Sequence, residues 1–291
     1  MNSIDIESKK FLGQPKNFIS IFNALLFDGQ PVLKSEYLKD ENSELVMNVS
    51  SKHVDIIKRY EDGTYLDLFV IESQSYVDQC MVARVMEYES VARMRYIRQN
   101  FKKHVPMHTR LPMILTVVLY VGESKWNAAK RLSELEIIHP GFEDMFNEFK
   151  LNLIELNTNH KYNTGEKATQ DFFDLLRMIY RKQILKEDLD REFNRDALYF
   201  AYVVTKNKEL LNIYQESEKG DVKVCRALDE MFEESTNKGI QMGIRQGIEQ
   251  GIALNQFEVY QTMLDKGFSD KAIASIFSVS EESIKTLLMK A

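Results

Sequence analysis

Two apolar runs that carry acidic residues decide the fold, His53-Val54-Asp55-Ile56-Ile57 and Leu68-Phe69-Val70-Ile71-Glu72-Ser73-Gln74. Asp62-Gly63 lies between them and is a strong signal for a hairpin turn. Residues two apart in a strand share a face, so Glu72 and Gln74 point the same way. Pairing the strands around this turn sets Asp55 opposite Val70 and diagonal to Glu72, and diagonal neighbours lie about 7–8 Å apart. The hairpin therefore predicts two carboxylates on one face, a hard oxygen site that suits Mg²⁺.

The hairpin has an alternative interpretation, a pair of solvated charges on an exposed sheet face. Acidic residues are common in strands, and Asp followed by Glu-x-Gln defines no metal motif. The residues after Gln74 favour the metal site, because they carry a resemblance to a known family.

The segments that follow the hairpin predict parallel strands. Residues 77–103 repeat apolar side chains at helical spacing, and residues 113–121 are almost continuously apolar. Such a run is typical of a strand buried on both faces. A strand, a helix and a second buried strand form a crossover unit, in which the two strands are parallel. Further helices are predicted over 16–27, 169–186 and 193–214, short helices over 127–150, and a strand over 151–156. This order predicts an α/β fold, a mixed sheet flanked by helices.

Composition excludes several classes of protein. The 291 residues carry a formal net charge of −6, and no apolar run approaches the roughly 18 residues that span a bilayer. The N-terminus lacks the pattern of a signal peptide, and the two cysteines have no metal-ligand spacing. There is no phosphate-binding loop, dinucleotide fingerprint or nucleophile elbow. We therefore expect a cytoplasmic protein without a membrane partner.

A local basic patch stands out against the negative net charge. It contains no acidic residue and consists of Arg93, Arg95, Arg98, Lys102, Lys103 and Arg110. Interleaved aromatic and histidine side chains make this a candidate surface for DNA phosphates. The alternative is a solvated helix end, because cations are favoured at helix C-termini.

The region after residue 215 predicts an all-α extension. Residues 216–256 contain Gly239, Gly243, Gly247 and Gly251, each followed by an isoleucine. Each glycine costs about 1 kcal/mol of helix propensity relative to alanine, which close packing of two helices would offset. The pattern therefore predicts a homo-oligomer through the C-terminal helices, and a solvated connector is the alternative.

Residues 257–291 have the pattern of a small helix-turn-helix. Ser269 is the predicted cap of its first helix, whose apolar face is Ala272, Ile273 and Ile276. The second helix offers two glutamates and only Lys285 as a base, which predicts a packing module rather than a DNA reader.

Four segments in order resemble the bacterial PD-(D/E)XK nuclease family transposases, also called recombination-promoting nuclease or Rpn-like proteins. They are residues 22–29, 71–88, 111–126 and 239–251. Residues 71–88 are similar to the family pattern G-I-E-N-Q followed by M-P-x-R-x-M-x-Y-D. Residues 111–126 are similar to L-P-V-I-x-I-V-L-Y-x-G-x-x-x-W. The resemblance covers most of the chain, and the ordered set is more specific than any single motif.

The departures from the family pattern concern the site itself. Val54-Asp55 stands where the family usually has Arg-Asp, and Ser20 stands where many relatives have an aspartate. Asp55, Glu72 and Gln74 are retained. Metal binding is therefore still expected. The two substitutions favour an alternative, in which the protein has the same fold but is catalytically weak or inactive and serves in DNA binding or regulation.

The resemblance implies a restriction-endonuclease-like core over residues 1–215 and an Mg²⁺- or Mn²⁺-dependent DNA endonuclease associated with mobile elements or recombination. It implies that Asp55 and Glu72 bind the metal and that Gln74, in place of the usual lysine, positions water. Arg84 occupies the arginine position of M-P-x-R and is expected to contact the site or a DNA phosphate. Asp78 and Glu87 are predicted to be surface charges.

Overall fold

The computed structural model describes residues 3–41, 56–64, 66–184, 188–217 and 220–290. Asp55, Val54 and His53 lie outside the described residues. The chain forms two compact units, residues 1–229 and 230–291.

A five-stranded mixed sheet forms the centre of the first unit. In spatial order its strands are β1 (Leu38–Asp40), β2 (Ile56–Glu61), β3 (Leu66–Gln74), β4 (Met113–Tyr120) and β5 (Asn152–Glu155). Strands β1 to β3 are antiparallel to one another, and β4 is parallel to both β3 and β5. Helix α3 (Met81–Asn100) connects β3 to β4. The predicted crossover unit and the predicted mixed sheet in an α/β fold are confirmed.

The predicted register of the hairpin is wrong by two residues. Ile57, and not Asp55, is the partner of Val70. Four residues instead of two separate the strands, because Asp62 Oδ1 accepts a hydrogen bond from Thr64 N at 2.9 Å and Gly63 adopts a φ of 89°. A shift of two residues preserves the alternation of faces, so Glu72 and Gln74 still share the face of Val70.

Each face of the sheet packs against helices. On one face α3 contacts an apolar cluster that includes Val70, Tyr88 and Ile114. On the other face lie α2 (Pro15–Phe27) and α4 (Lys167–Arg181), with the ring of Phe22 stacked 4.6 Å from that of Phe69. The face that carries Glu72 is therefore the α3 face.

The remaining elements of the first unit are helices and a two-stranded ribbon. They are α1 (Ser3–Leu12), β6 (Glu192–Phe193), α5 (Arg195–Thr205), α6 (Lys208–Glu216) and β7 (Val222–Lys223). The continuous helix predicted over 193–214 is wrong. Lys206 has a φ of 56° and ends α5, and Asn207 then caps α6 by accepting from Glu209 N. In the predicted short helices of 127–150, only 3₁₀ turns at Leu132–Glu134 and Glu143–Met145 form.

The second unit is helical. It contains most of α7 (Cys225–Asp265), with α8 (Asp270–Phe277) and α9 (Glu281–Lys290). Tyr260, Ile273 and Ile284 form its apolar cluster, and Ser269 caps α8 by accepting from Ala272 N. Ile276 was expected on the apolar face of α8 but is exposed. In the described parts of the chain, no helix is both long and apolar enough to cross a bilayer.

Candidate active site

Glu72 and Gln74 form a buried polar pair near the end of β3. Their side chains are only 3% and 5% exposed, and Gln74 Nε2 donates to Glu72 Oε1 at 2.9 Å. The parallel strand β4 fixes this part of the backbone, since Gln74 pairs with Tyr120 and its carbonyl accepts from Val121 N. The carboxyl ends of parallel strands are the usual place for ligands in α/β sheets. The pair is therefore a candidate site on a rigid support.

Arg84 faces this pair from the first turn of α3. Its Nη2 donates to Glu72 Oε1 at 3.1 Å, and its Nη1 donates to Asp78 Oδ2 at 2.5 Å. The hydroxyl of Tyr88 accepts from Nη2 at 2.9 Å and from Nε at 3.1 Å. Burial opposes the charge on Arg84, but the hydrogen bonds to Asp78 and Tyr88 outweigh it and raise the pKa of the guanidinium. The site thus carries a permanent positive charge beside Glu72.

Asp78 and Glu89 have structural positions that were not predicted from the sequence. Asp78 was predicted to be a surface charge, but its side chain is 16% exposed and holds Arg84. Its Oδ1 also accepts from Cys80 N, which forms a turn just before α3. An Asp directly before a helix is a sequence signal for such a turn. Glu89 is buried on α3 and accepts from Thr116 N at 3.1 Å. Glu89 lies between Val85 and Ala92 at helical spacing, and this spacing could have indicated that its side chain is buried.

Burial raises the pKa of the Glu89 carboxyl. The hydrogen bond from Thr116 and the charge of Arg93 counteract this effect only in part. Burial also raises the pKa of the Tyr88 phenol, which the bond from Arg84 partly offsets. Glu89 and Tyr88 are thus both buried where α3 packs on the sheet.

The basic patch extends from the second half of α3 into the segment that follows it. Arg98, Lys102 and Lys103 are exposed, and Arg95 is half-buried. Within the described parts of the chain, none of these four forms an ion pair, whereas Arg93 lies 3.6 Å from Glu89. Most of the patch is thus available to a polyanion.

Ser20 lies at a contact between helices. Its hydroxyl donates to the carbonyl of Asn17 at 2.8 Å and is 2.9 Å from the hydroxyl of Thr169 on α4. This contact lies on the side of the sheet opposite to Glu72. The hydroxyl at this position therefore serves packing between α2 and α4.

The described residues of the site offer a hard cation one carboxylate, that of Glu72. Magnesium is usually bound through one or two carboxylates together with water. Asp55, the second expected ligand, lies outside the described residues. Within the ranges that the structure describes, no three His, Cys, Asp or Glu side chains form a cluster that could hold a metal. A cation on Glu72 would also have to compete with Arg84 for Oε1.

One comparison with known proteins finds a match. The family model described as "Putative transposase, YhgA-like" matches residues 9–210, which include the whole sheet and the site. No curated protein and no solved structure matches the chain.

Proposed function

The chain belongs to the family of YhgA-like transposases within the PD-(D/E)XK nuclease superfamily, and from this premise we propose that it is an Mg²⁺- or Mn²⁺-dependent DNA endonuclease associated with mobile elements or recombination. The observation that carries the proposal is the burial of Glu72 and Gln74 side by side at the end of β3. A buried carboxylate on a rigid strand is costly unless it has a partner, and such groups are common at functional sites.

The proposed chemistry assigns a role to each residue. Asp55 and Glu72 would hold the metal, which when bound would stabilise charge on the phosphate and lower the pKa of the attacking water. Gln74 would orient that water through its amide, which remains neutral at every pH and cannot act as a general base. Its contact with Glu72 fixes the amide toward the same side of the strand.

We propose a restriction-endonuclease-like core around this site. The support is the order of elements, in which α2, the hairpin β2–β3, helix α3 and the parallel strand β4 follow one another. This order places Glu72 on a central strand and sets α3 directly over it.

DNA is the proposed substrate, and the basic patch is the proposed phosphate-binding surface. Arg95, Arg98, Lys102 and Lys103 carry this role, with Arg93 and Arg84 beside them. The patch and the site share α3, because Arg84 lies in its first turn and Arg98 in its last. Phosphate contacts would therefore position a strand along α3 without reading its sequence.

Plasmid nicking tests the endonuclease. Supercoiled plasmid at low salt should be nicked by the wild type with Mg²⁺ or Mn²⁺ and not with chelator. Glu72→Gln should lose the activity by about 100-fold or more, because metal-ligand contacts contribute several kcal/mol to such reactions. Glu87→Gln changes an exposed carboxylate on α3 in the same way; it is the matched control and should nick like the wild type.

The alternative is a catalytically inactive DNA-binding or regulatory protein of the same fold. Val54, which departs from the family pattern next to Asp55, favours it, whereas Ser20 packs α2 against α4 on the other side of the sheet. A well-folded wild type that binds DNA in a salt-dependent manner but never nicks it would establish this alternative. Equal nicking by wild type and Glu72→Gln would instead reveal a contaminating nuclease.

A second copy of the chain is the proposed partner of α7. Ile240, Ile244, Ile248 and Ile252 are each 53–58% exposed, and space is open beside all four neighbouring glycines. A row of exposed isoleucines beside a row of glycines is a self-complementary surface. Light scattering should show that Ile244→Gln with Ile248→Gln reduces the mass of the full chain in solution, whereas Gln246→Ala on the other side of α7 should not. An unchanged mass in the isoleucine variant contradicts the proposal.

A further inference from the structure

Arg84 lies between two carboxylates that belong to different parts of the chain. Glu72 is at the end of β3, and Asp78 is in the turn that precedes α3. The contact from Arg84 to Asp78 is 2.5 Å, and the contact to Glu72 is 3.1 Å. Tyr88, one helical turn after Arg84, accepts two further hydrogen bonds from the same guanidinium. Arg84 is thus held more firmly by its own helix and the preceding turn than by Glu72.

Glu72 shares one oxygen with two donors. Arg84 and Gln74 both donate to Oε1. A guanidinium and a divalent cation compete for the same negative charge, so Arg84 on Oε1 weakens the attraction of Glu72 for a cation. Asp78 already holds the guanidinium and can keep it, because its other oxygen is fixed by the backbone N–H of Cys80.

We propose that Arg84 is a positioning residue that contacts Glu72 and Asp78 together and releases Glu72 when a divalent cation binds. It holds Glu72 in place when the site contains no divalent cation, and it stays with Asp78 and Tyr88 when Glu72 binds one. The inference rests on the proposed function of the site. The retained guanidinium then remains beside the site and supplies the positive charge that Gln74 does not provide.

The affinity of the full chain for Mn²⁺, measured by calorimetry at pH 8.5, tests the inference. Arg84→Met removes the competitor and should bind Mn²⁺ about tenfold more tightly, the size expected for a hydrogen bond to a charged group. Asp78→Asn removes the group that takes over the guanidinium and should bind Mn²⁺ about tenfold more weakly. A residue with a merely structural role would not shift the affinity in these opposite directions.

The double variant Asp78→Asn with Arg84→Met decides how Asp78 acts. If Asp78 acts through Arg84, the double variant should match Arg84→Met alone. If Asp78→Asn weakens Mn²⁺ binding as strongly in that background, Asp78 is itself a metal ligand and the inference is overturned. Circular dichroism checks the fold, and Asp78→Asn still tests the inference if Arg84→Met does not fold.

Failure of the inference can be told from failure of the proposed function. If the wild type binds Mn²⁺ and nicks plasmid, but both single variants bind Mn²⁺ like the wild type, the inference alone is overturned. If neither the wild type nor Arg84→Met binds Mn²⁺ and no protein nicks plasmid, both are overturned.

Discussion

Two arginines of the first unit each hold more than one carboxylate, and the two places differ in the donors from which the acids accept. Arg84 contacts Glu72 and Asp78. Arg191 contacts Asp171 at 2.6 Å and Asp174 at 2.8 Å, and it also lies 3.5 Å from Asp188. Asp171, however, also accepts from Lys167 at 2.6 Å and from the backbone N–H of Asn194 at 2.7 Å. The Arg191 cluster therefore surrounds its acids with fixed donors, while Arg84 and Gln74 share one oxygen of Glu72.

The elements that each cluster joins explain the difference. Asp171 lies on α4, and its donors come from α4, from Arg191 ahead of β6 and from Asn194, which caps α5. Loss of these contacts would separate α4 from the chain that enters α5. Glu72 accepts from Gln74 on its own strand and from Arg84 on α3. We therefore expect the Arg191 cluster to matter more for stability than the Arg84 cluster does.

The largest expected effect is on the stability of the Arg191 cluster. Asp171→Asn removes a fully buried charge that has two cationic partners, and breaking such a pair from one side costs about 3–5 kcal/mol. Urea denaturation should show this loss in the free energy of unfolding. The exposed pair Arg245–Glu249 provides the control, since Glu249→Gln should cost less than about 1 kcal/mol.

A smaller effect is expected when the same kind of change is made in the candidate site. Glu72→Gln keeps an oxygen that can accept from Arg84 and Gln74, and Asp78 still neutralises the guanidinium. We expect a loss of about 1 kcal/mol, the size of one ordinary hydrogen bond. Parallel urea curves of Glu72→Gln and Asp171→Asn measure the contrast directly. A loss at Glu72 as large as that at Asp171 would show that the two clusters do not differ.

Strands and helices with strong periodicity could be predicted from the sequence. Residues 113–121 were predicted as a buried strand and form β4, because an unbroken apolar run can be accommodated only between two layers. The parallel pairing of β3 and β4 followed from the helix between them. The short strand β1 was not predicted, since Leu38–Asp40 has one apolar residue and owes its pairing to β2.

The details that failed depend on local hydrogen bonds. The hairpin register changed because Asp62 accepts from Thr64 N and lengthens the turn, an interaction that Asp-Gly alone does not specify. The break at Lys206 depends on a left-handed backbone that Asn207 then caps. In the site, alternation placed Glu72 and Gln74 on one face, but the ion pair of Arg84 with Asp78 depends on how α3 begins.

Glu89 sharpens the comparison, because it is a buried acid that accepts from the backbone N–H of Thr116 and lies 3.6 Å from one half-exposed cation, Arg93. Burial raises the pKa of its carboxyl in the folded protein, so the native state binds a proton more readily than the unfolded state. Its contribution to stability is therefore complete below the pKa of the unfolded chain and is lost as pH rises through the folded pKa. Glu89→Gln keeps an oxygen that accepts from Thr116 N but does not titrate. As pH rises, the free energy of unfolding of the wild type should therefore fall relative to that of Glu89→Gln. Urea denaturation across acidic to neutral pH measures the difference, with the two proteins nearly matched at low pH as an internal control. A difference that stays constant across this pH range would contradict the prediction.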